Sequence, residues 1–345
     1  MQIRDPLPRE LRGENEIMSL YSAIIAGTGS HVPEKRLTND DLSKMVETND
    51  EWITQRTGIK ERRVVSSTES TATLASHAAT KAMKAAGVEA KDIGLVICGT
   101  VSPEMTFPST ACFVAASLGM TSTPAFDVTA ACSGFLYALD VGSQFVRTGK
   151  HRNVIVIGAE TLSRLVDYTD RGSCILFGDG AGAVVLQRSE DKNRGVQYAS
   201  LHADGTGWEM LYCAPGSRHP IDSTMVNGRQ QYMKIKGREV YKFAVQRFHE
   251  LIEDAMRKCE LTIDQVKLII PHQVNQRIID SALQKLNIPA AKAFVNIERY
   301  GNTSAASIPI ALDEAVRAGK LSKGDVAVFV AFGAGLTWAN AVVRM

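Results

Sequence analysis

Short apolar runs punctuate the chain at Ala23–Ala26, Leu95–Cys98, Val154–Ile157, Ala183–Leu186, Leu268–Ile270 and Val326–Val330. Runs of this length, bounded by polar or glycine-bearing segments, mark strands buried on both faces. Between them the period changes. Val240, Phe243, Ala244, Phe248, Leu251, Ile252 and Ala255 recur at threes and fours, which predicts one buried face of a helix. Two-sided strands alternating with helices predict an α/β protein whose central sheet is covered on both sides.

The pattern occurs twice. In the first half the strand Ile93–Cys98 leads to Ala125–Val128, then to Cys132-Ser133-Gly134 opening a helix, then to Val154–Ile157 and the glycine-rich Gly178–Gly182 before Ala183–Leu186. In the second, Val266–Ile270 leads to Ala293–Asn296, then to Gly301-Asn302-Thr303-Ser304 opening a helix, then to Val326–Val330 and Gly333-Ala334-Gly335 before Ala339–Val343. Leu95 and Ile155 are 60 residues apart, as are Leu268 and Val328, and the offset between the sets is 173, half the chain. A duplicated α/β unit is expected. Its halves pack across a pseudo-twofold axis, and the crevice where equivalent strand-to-helix turns converge is the default ligand site.

Composition narrows the function classes. The chain has 345 residues, 45% hydrophobic and 22% charged, with 39 Lys plus Arg against 37 Asp plus Glu. The near-balance argues against a protein that coats nucleic acid, though a local basic patch for an acidic partner remains compatible with it. No apolar run approaches the roughly 18 residues of a membrane span. Six cysteines, at 98, 112, 132, 174, 213 and 259, form no C-x-x-C pair and no Cys/His cluster with zinc spacing. The first 20 residues are a polar arm without the apolar core of a secretory signal. These features read as a reduced, cytoplasmic protein.

Cys132 lies between the strand-like Ala125–Val128 and the amphipathic segment after Gly134. A thiol at such a turn faces the unpaired N–H groups of a helix start, which is expected to lower its pKa. The bland alternative is an inert buried cysteine. The other five read as packing or incidental; Cys174, for one, precedes the strand-like Ile175–Phe177. His272 ends the strand Leu268–Ile270, and Asn302 stands in the second-half turn that corresponds to the Cys132 turn. Each alone reads as structural, one a hydrogen-bonded strand-end histidine and the other a turn former. Together at one axis they form an acyl-transfer constellation. The glycine stretches at 27–29, 178–182 and 333–335 each lack the helix that a dinucleotide fingerprint requires. A nicotinamide or flavin enzyme is therefore the weaker reading.

Six motifs carry a family resemblance: Asp50-Glu51-Trp52-Ile53 with Arg56-Thr57-Gly58-Ile59, Ala130-Ala131-Cys132-Ser133-Gly134-Phe135, Asp170-Arg171-Gly172, Phe177–Gly182, Pro271-His272-Gln273-Val274-Asn275, and Gly301–Ser307. In these, from about Tyr21 to Met345, the chain resembles the β-ketoacyl-[acyl-carrier-protein] synthase III family, condensing enzymes that start bacterial type II fatty acid synthesis. The resemblance implies a thiolase-like fold, with duplicated α/β halves packed as a layered α-β-α-β-α sandwich about a pseudo-twofold axis. Its segments would be the arm 1–20, a half 21–192 carrying the nucleophile, and a half 193–345 carrying the histidine and asparagine.

The resemblance also implies a Cys132–His272–Asn302 triad acting in ping-pong fashion on a short acyl-CoA and a malonyl-carrier protein, in a homodimer, with no metal or redox cofactor. The backbone N–H groups of Cys132 and Ala334 would form the oxyanion hole. Trp52, Arg56, Arg171 and Asn275 would hold CoA and its pantetheine arm, with the adenine between Trp52 and Arg171. Phe332 would close the tunnel behind the thiol, and Phe107 would cap the acyl pocket across a dimer interface. Lys242, Arg277 and Lys285 would meet the acidic carrier protein. Arg238, beside Lys236, replaces a small polar residue of some relatives, and its role stays open. Thiolases use a second cysteine near the C-terminus, but the last here is Cys259, and elongating synthases use two histidines where this chain has His272 and Asn302. Two rivals share the fold: an acyl-CoA condensing enzyme of secondary metabolism, and a non-catalytic subunit that binds carrier or acyl-CoA.

Overall fold

The structure is a computed structural model that describes residues 20–345, so the expected polar arm lies, apart from Leu20, outside the described residues. Two sheets organise the chain. The first contains β1 (Ser22–His31), β2 (Leu95–Gly99), β3 (Ala125–Val128), β4 (Asn153–Thr161) and β5 (Asp179–Ser189), in the order β1-β5-β4-β2-β3. The second contains β6 (Gly195–Ala203), β7 (Val266–Pro271), β8 (Val326–Gly333) and β9 (Thr337–Arg344), in the order β7-β8-β9-β6. In the first, β2 pairs parallel with both β4 and β3 and the other pairs are antiparallel; in the second, β7 with β8 is the parallel pair and the other pairs are antiparallel. The second sheet thus repeats the first except at the place of β3. The expected counterpart, Ala293–Asn296, does not form a strand; Ala293 makes a single parallel bridge to Ile269 before the chain turns away.

The strands alternate cleanly between two faces. In β4, Val154 and Val156 enter the core between the sheets, while Ile155 and Ile157 face outward. The outer face of the first sheet is covered by α1 (Thr71–Ala86) and α2 (Thr110–Ser117). Between the sheets lie α3 (Gly134–Arg147) and, later in the chain, α6 (Ser307–Arg317). The far face of the second sheet is covered by α4 (Gly237–Lys258) and α5 (Gln276–Lys285). The layers run α-β-α-β-α. Each fully buried large side chain of the middle layer, such as Phe135, Leu136, Leu139 and Phe329, contributes about 1.5–3 kcal/mol. Because α3 packs on strands of the second sheet and α6 on strands of the first, the halves share one core.

The repeat extends to backbone angles. Ala131 and Ser304 are 173 apart and adopt left-handed φ values of 46° and 48°, each just before a helix of the central layer. A non-glycine residue held there stores about 1–3 kcal/mol of strain. Gly158 lets the second of these turns approach, since a Cβ there would stand 2.1 Å from the Ala305 carbonyl oxygen.

Candidate active site

Cys132 is the middle residue of the short 3-10 turn Ala131–Ser133 that leads into α3. The end of β8 presses on this turn: a Cβ on Gly333 would lie 2.6 Å from the Cys132 nitrogen. Thr337, opening β9, donates its hydroxyl to the Ala130 carbonyl at 2.9 Å. The Cys132 turn is therefore pinned by the β8–β9 hairpin.

His272 follows β7, and its backbone N–H donates to the Val330 carbonyl at 2.8 Å. The ring is fully buried, edge-on to Phe332 at 5.8 Å, with Nδ1 2.7 Å from Ser307 Oγ and Nε2 without a partner. Burial pushes its pKa down to about 3, so the imidazole is neutral at working pH. Asn302 is fixed through its backbone: its N–H donates to Leu176 O at 2.8 Å and its carbonyl accepts from Gly178 N at 3.0 Å. Its Oδ1 accepts from Ser304 N at 2.8 Å, which leaves the NH2 group to serve the site.

These three side chains and Phe332 line one cavity of ≈ 40 Å³. Its remaining walls, including Leu176, Phe177, Val240, Phe243, Val274 and Leu336, are apolar. The site offers a sulfur nucleophile, neutral N–H donors and low dielectric, the components for forming a covalent acyl intermediate and stabilising an oxyanion.

The expected lowering of the thiol pKa does not occur. Burial, reinforced by the Glu160 carboxylate, pushes Cys132 up to about 12. A helix dipole, worth about 0.3–1 kcal/mol and at most ~2 in partly buried geometry, is too weak to reverse full desolvation. At rest the group is a thiol.

The structure brings the residues expected to hold CoA together, tied through Asn275 to the segment that carries His272. Trp52, on the Asp50–Thr57 helix, has the Arg56 and Arg171 guanidinium carbons 4.5 and 4.9 Å from its ring centroid. Arg171 already rests on the indole, so a base entering between them must displace it. Asn275 caps α5 by accepting from Arg277 N, and its Nδ2 donates to Arg56 O at 3.0 Å, joining the Trp52 helix to the segment that carries His272. Ala334 directly follows Gly333 in the hairpin that pins the thiol. Lys242 and Arg238 are exposed on the first turns of α4, and Arg277 and Lys285 are exposed on α5. Phe107 is 81% exposed and does not line this chain's own cavity. Cys174 closes a short helix, Arg171–Cys174, and the strand expected at Ile175–Phe177 is reduced to one bridge between Phe177 and Asn302.

Sequence reasoning missed two buried polar residues. Ser307 contacts His272 as above. Glu160, at the end of β4, accepts from Ser102 Oγ at 2.6 Å and from the Val101 and Ser102 N–H groups, and burial pushes it up to about 7. Neither carries a local signal: a serine at a helix start reads as a cap, and a glutamate in an apolar strand reads as an edge residue. Among the described residues no group of three His, Cys, Asp or Glu is placed to hold a metal ion, and no helix is long and apolar enough to cross a membrane.

A family model described as 3-oxoacyl-[acyl-carrier-protein (ACP)] synthase III matches residues 126–205, and the model of its C-terminal part matches residues 256–345. The beta-ketoacyl-[acyl-carrier-protein] synthase III of Caldanaerobacter subterraneus subsp. tengcongensis is 49% identical over 324 residues, covering 94% of this chain and 98% of its own. The crystal structure of 3-oxoacyl-[acyl-carrier-protein] synthase III from Aquifex aeolicus VF5 matches with TM-score 0.87 at 47% identity, covering 94% of this chain and all of that one. The priming beta-ketosynthase of the R1128 polyketide biosynthetic pathway matches with TM-score 0.88 at 30% identity, covering 96% of this chain and 98% of its own.

Proposed function

The chain belongs to the β-ketoacyl-[acyl-carrier-protein] synthase III family, and from that membership and the cavity we infer that it condenses a short acyl group from acyl-CoA with malonyl-acyl-carrier protein. It is an acyl-transferring condensing enzyme that initiates fatty acid synthesis. The observation that carries the assignment of roles is the convergence of Cys132, His272 and Asn302 on a single small cavity.

In the first half-reaction Cys132 sulfur attacks the acyl-CoA carbonyl. The acyl–sulfur bond to CoA breaks, and the thiol proton leaves with CoA, giving acyl-Cys132 and CoA–SH. The Cys132 and Ala334 N–H groups receive the developing oxyanion. In the second, malonyl-carrier protein loses CO2, and the electron pair of the broken C–C bond becomes an enolate on the carrier thioester. His272 Nε2 and Asn302 Nδ2 donate to its oxygen; the enolate carbon then attacks the acyl-Cys132 carbonyl, the acyl–sulfur bond breaks, 3-oxoacyl-carrier protein is released, and Cys132 leaves as a thiolate that takes up a solvent proton to regenerate the thiol. The cavity at Cys132 is small, ≈ 40 Å³, which favours a short acyl group.

Trp52, Arg56, Arg171 and Asn275 recognise CoA, and exposed Lys242, Arg277 and Lys285 receive the carrier. Two copies associate through the open edge at β3 and the neighbouring segment where Phe107 and Met105 (48% exposed) project, so that Phe107 reaches the partner's pocket. Six free cysteines accord with a cytoplasmic location. The polyketide-priming reading has fold similarity behind it, but the 49% and 47% identities to fatty acid synthases against 30% favour the primary pathway.

The test is the mass of the Cys132 peptide after exposure to a panel of acyl-CoAs, followed by malonyl-carrier protein. A short acyl adduct that disappears as 3-oxoacyl-carrier protein forms is expected. No adduct on Cys132, or an adduct that malonyl-carrier protein leaves in place, overturns the reading.

A further inference from the structure

Arg62, on the short strand Glu61–Arg63, is fully buried. Burial lowers its pKa only to about 10, so it stays a cation at neutral pH. A buried charge has to be held by polar groups. Here the holders are three neutral oxygens. Nη1 donates to Leu37 O at 3.1 Å and to Asn39 Oδ1 at 2.9 Å, and Nη2 donates to Ile175 O at 2.7 Å.

Two of these contacts lead to the site. Asn39, itself buried, donates through Nδ2 to Asp50 Oδ1 and to Ile59 O, both at 2.8 Å. Those acceptors stand at either end of the Asp50–Thr57 helix, so Asn39 clasps the element that carries Trp52 and Arg56. On the other side, Ile175 precedes Leu176, whose carbonyl accepts the Asn302 N–H, and Gly178 N–H donates to the Asn302 carbonyl. The Arg62 stem packs there as well: a Cβ on Gly178 or on Gly301 would stand 3.0 or 3.3 Å from Arg62 Cβ.

We propose that Arg62 is a positioning residue whose guanidinium fixes the helix that holds acyl-CoA relative to the segment that aims Asn302. This rests on the roles given above to Trp52 and Asn302. The rigid, planar fork is what the arrangement demands, because a single group must reach Asn39 and Ile175 in different directions; the point charge of a lysine cannot span both. Cys132 lies outside this linkage, since its turn is held by Gly333 and Thr337.

The test is Arg62→Lys in the whole enzyme, with three readouts: KM for acyl-CoA, kcat for malonyl-carrier decarboxylation, and the rate of Cys132 alkylation by iodoacetamide. A misplacement of about 1 Å can cost ~100-fold, so decarboxylation kcat should fall at least about 10-fold and KM for acyl-CoA should rise at least about 3-fold. Sites that share no partner act independently, so alkylation should stay within about twofold of wild type. Asn39→Ala cuts only the arm to the Trp52 helix; it should raise KM about as much and leave decarboxylation within about twofold. A proportionate loss in all three readouts, which a purely structural arginine would give, overturns the proposal, as does an unchanged KM or decarboxylation rate in Arg62→Lys. A normal KM in Asn39→Ala overturns it whether or not Arg62→Lys folds. Intact decarboxylation in Asn302→Ala would overturn it differently, by removing the donor role of Asn302 itself.

Discussion

Alkylation of Cys132 separates the two forces acting on its proton. Burial holds the thiol near pKa 12, while the start of α3 pulls the other way. At pH 7 a thiol of pKa 12 is ionised to about 1 part in 10⁵, against about 3% for free cysteine near 8.5. That roughly 3,000-fold deficit is partly offset because a more basic thiolate is more nucleophilic; with a Brønsted slope of about 0.4–0.5 the offset is some 25- to 55-fold. Iodoacetamide should therefore modify Cys132 about 100-fold more slowly than free cysteine at pH 7. The rate should climb about tenfold per pH unit to beyond pH 10. The assay is mass mapping of the Cys132 peptide against time at each pH, with free cysteine as the reference. A rate that levels off between pH 6 and 8 would mean that the helix start has overcome burial, and the account of the resting thiol would be wrong.

Gly333→Ala should cost at least about 100-fold in condensation while the protein stays folded, because its Cβ would stand 2.6 Å from the Cys132 nitrogen and shift the oxyanion geometry; near-normal turnover would show that the hairpin does not position the thiol. Trp52→Ala should raise KM for acyl-CoA about 3- to 30-fold with little change in kcat, the range for a lost cation–π and stacking platform; an unchanged KM would remove Trp52 from the binding site. Glu160, with its folded pKa raised to about 7, contributes stability that is complete below its unfolded pKa and is lost as pH rises through 7, about 3 kcal/mol in all. Thermal melts of Glu160→Gln should therefore lose less stability than wild type between pH 4.5 and 8, and parallel curves would contradict this. Arg229 holds the Asp167 carboxyl well below the usual range through a two-point contact, so Arg229→Ala should lower the melting temperature at neutral pH. Since the Asp167 pKa is depressed on folding, the gap between variant and wild-type melting temperatures should close as pH falls below about 4.

The two-sided strands were legible because burial on both faces leaves an apolar run with no polar alternation, and the repeat was legible because both halves keep the same 60-residue spacing. Ala293–Asn296 misled because it has the composition of Ala125–Val128; what differs is the path after it, which no local pattern records. The convergence of Cys132, His272 and Asn302 followed from where duplicated turns must meet. Alignment of the halves adds a detail: the residue that occupies the Cys132 position in the second half is Ala305, three residues beyond Asn302. The thiol's ionisation was misread because a helix start is visible in sequence and desolvation is not. Ser307 and Glu160 stayed hidden for the same reason, since each acquires its role from segments more than 30 residues away that only tertiary packing brings to it.

The matched left-handed residues at Ala131 and Ser304 make the crevice at Cys132 a vice with two jaws of one design. One jaw bears sulfur; the other carries a methyl at the matching place and leads from Asn302 into α6. Gly333 abuts the backbone of Cys132 where, across the axis, Glu160 engages the backbone of Ala305. Because each jaw leads directly into a helix of the shared layer, α3 or α6, slack introduced there should misalign sulfur and donors before it unravels either sheet. Turnover is then a more sensitive gauge of that layer than melting temperature.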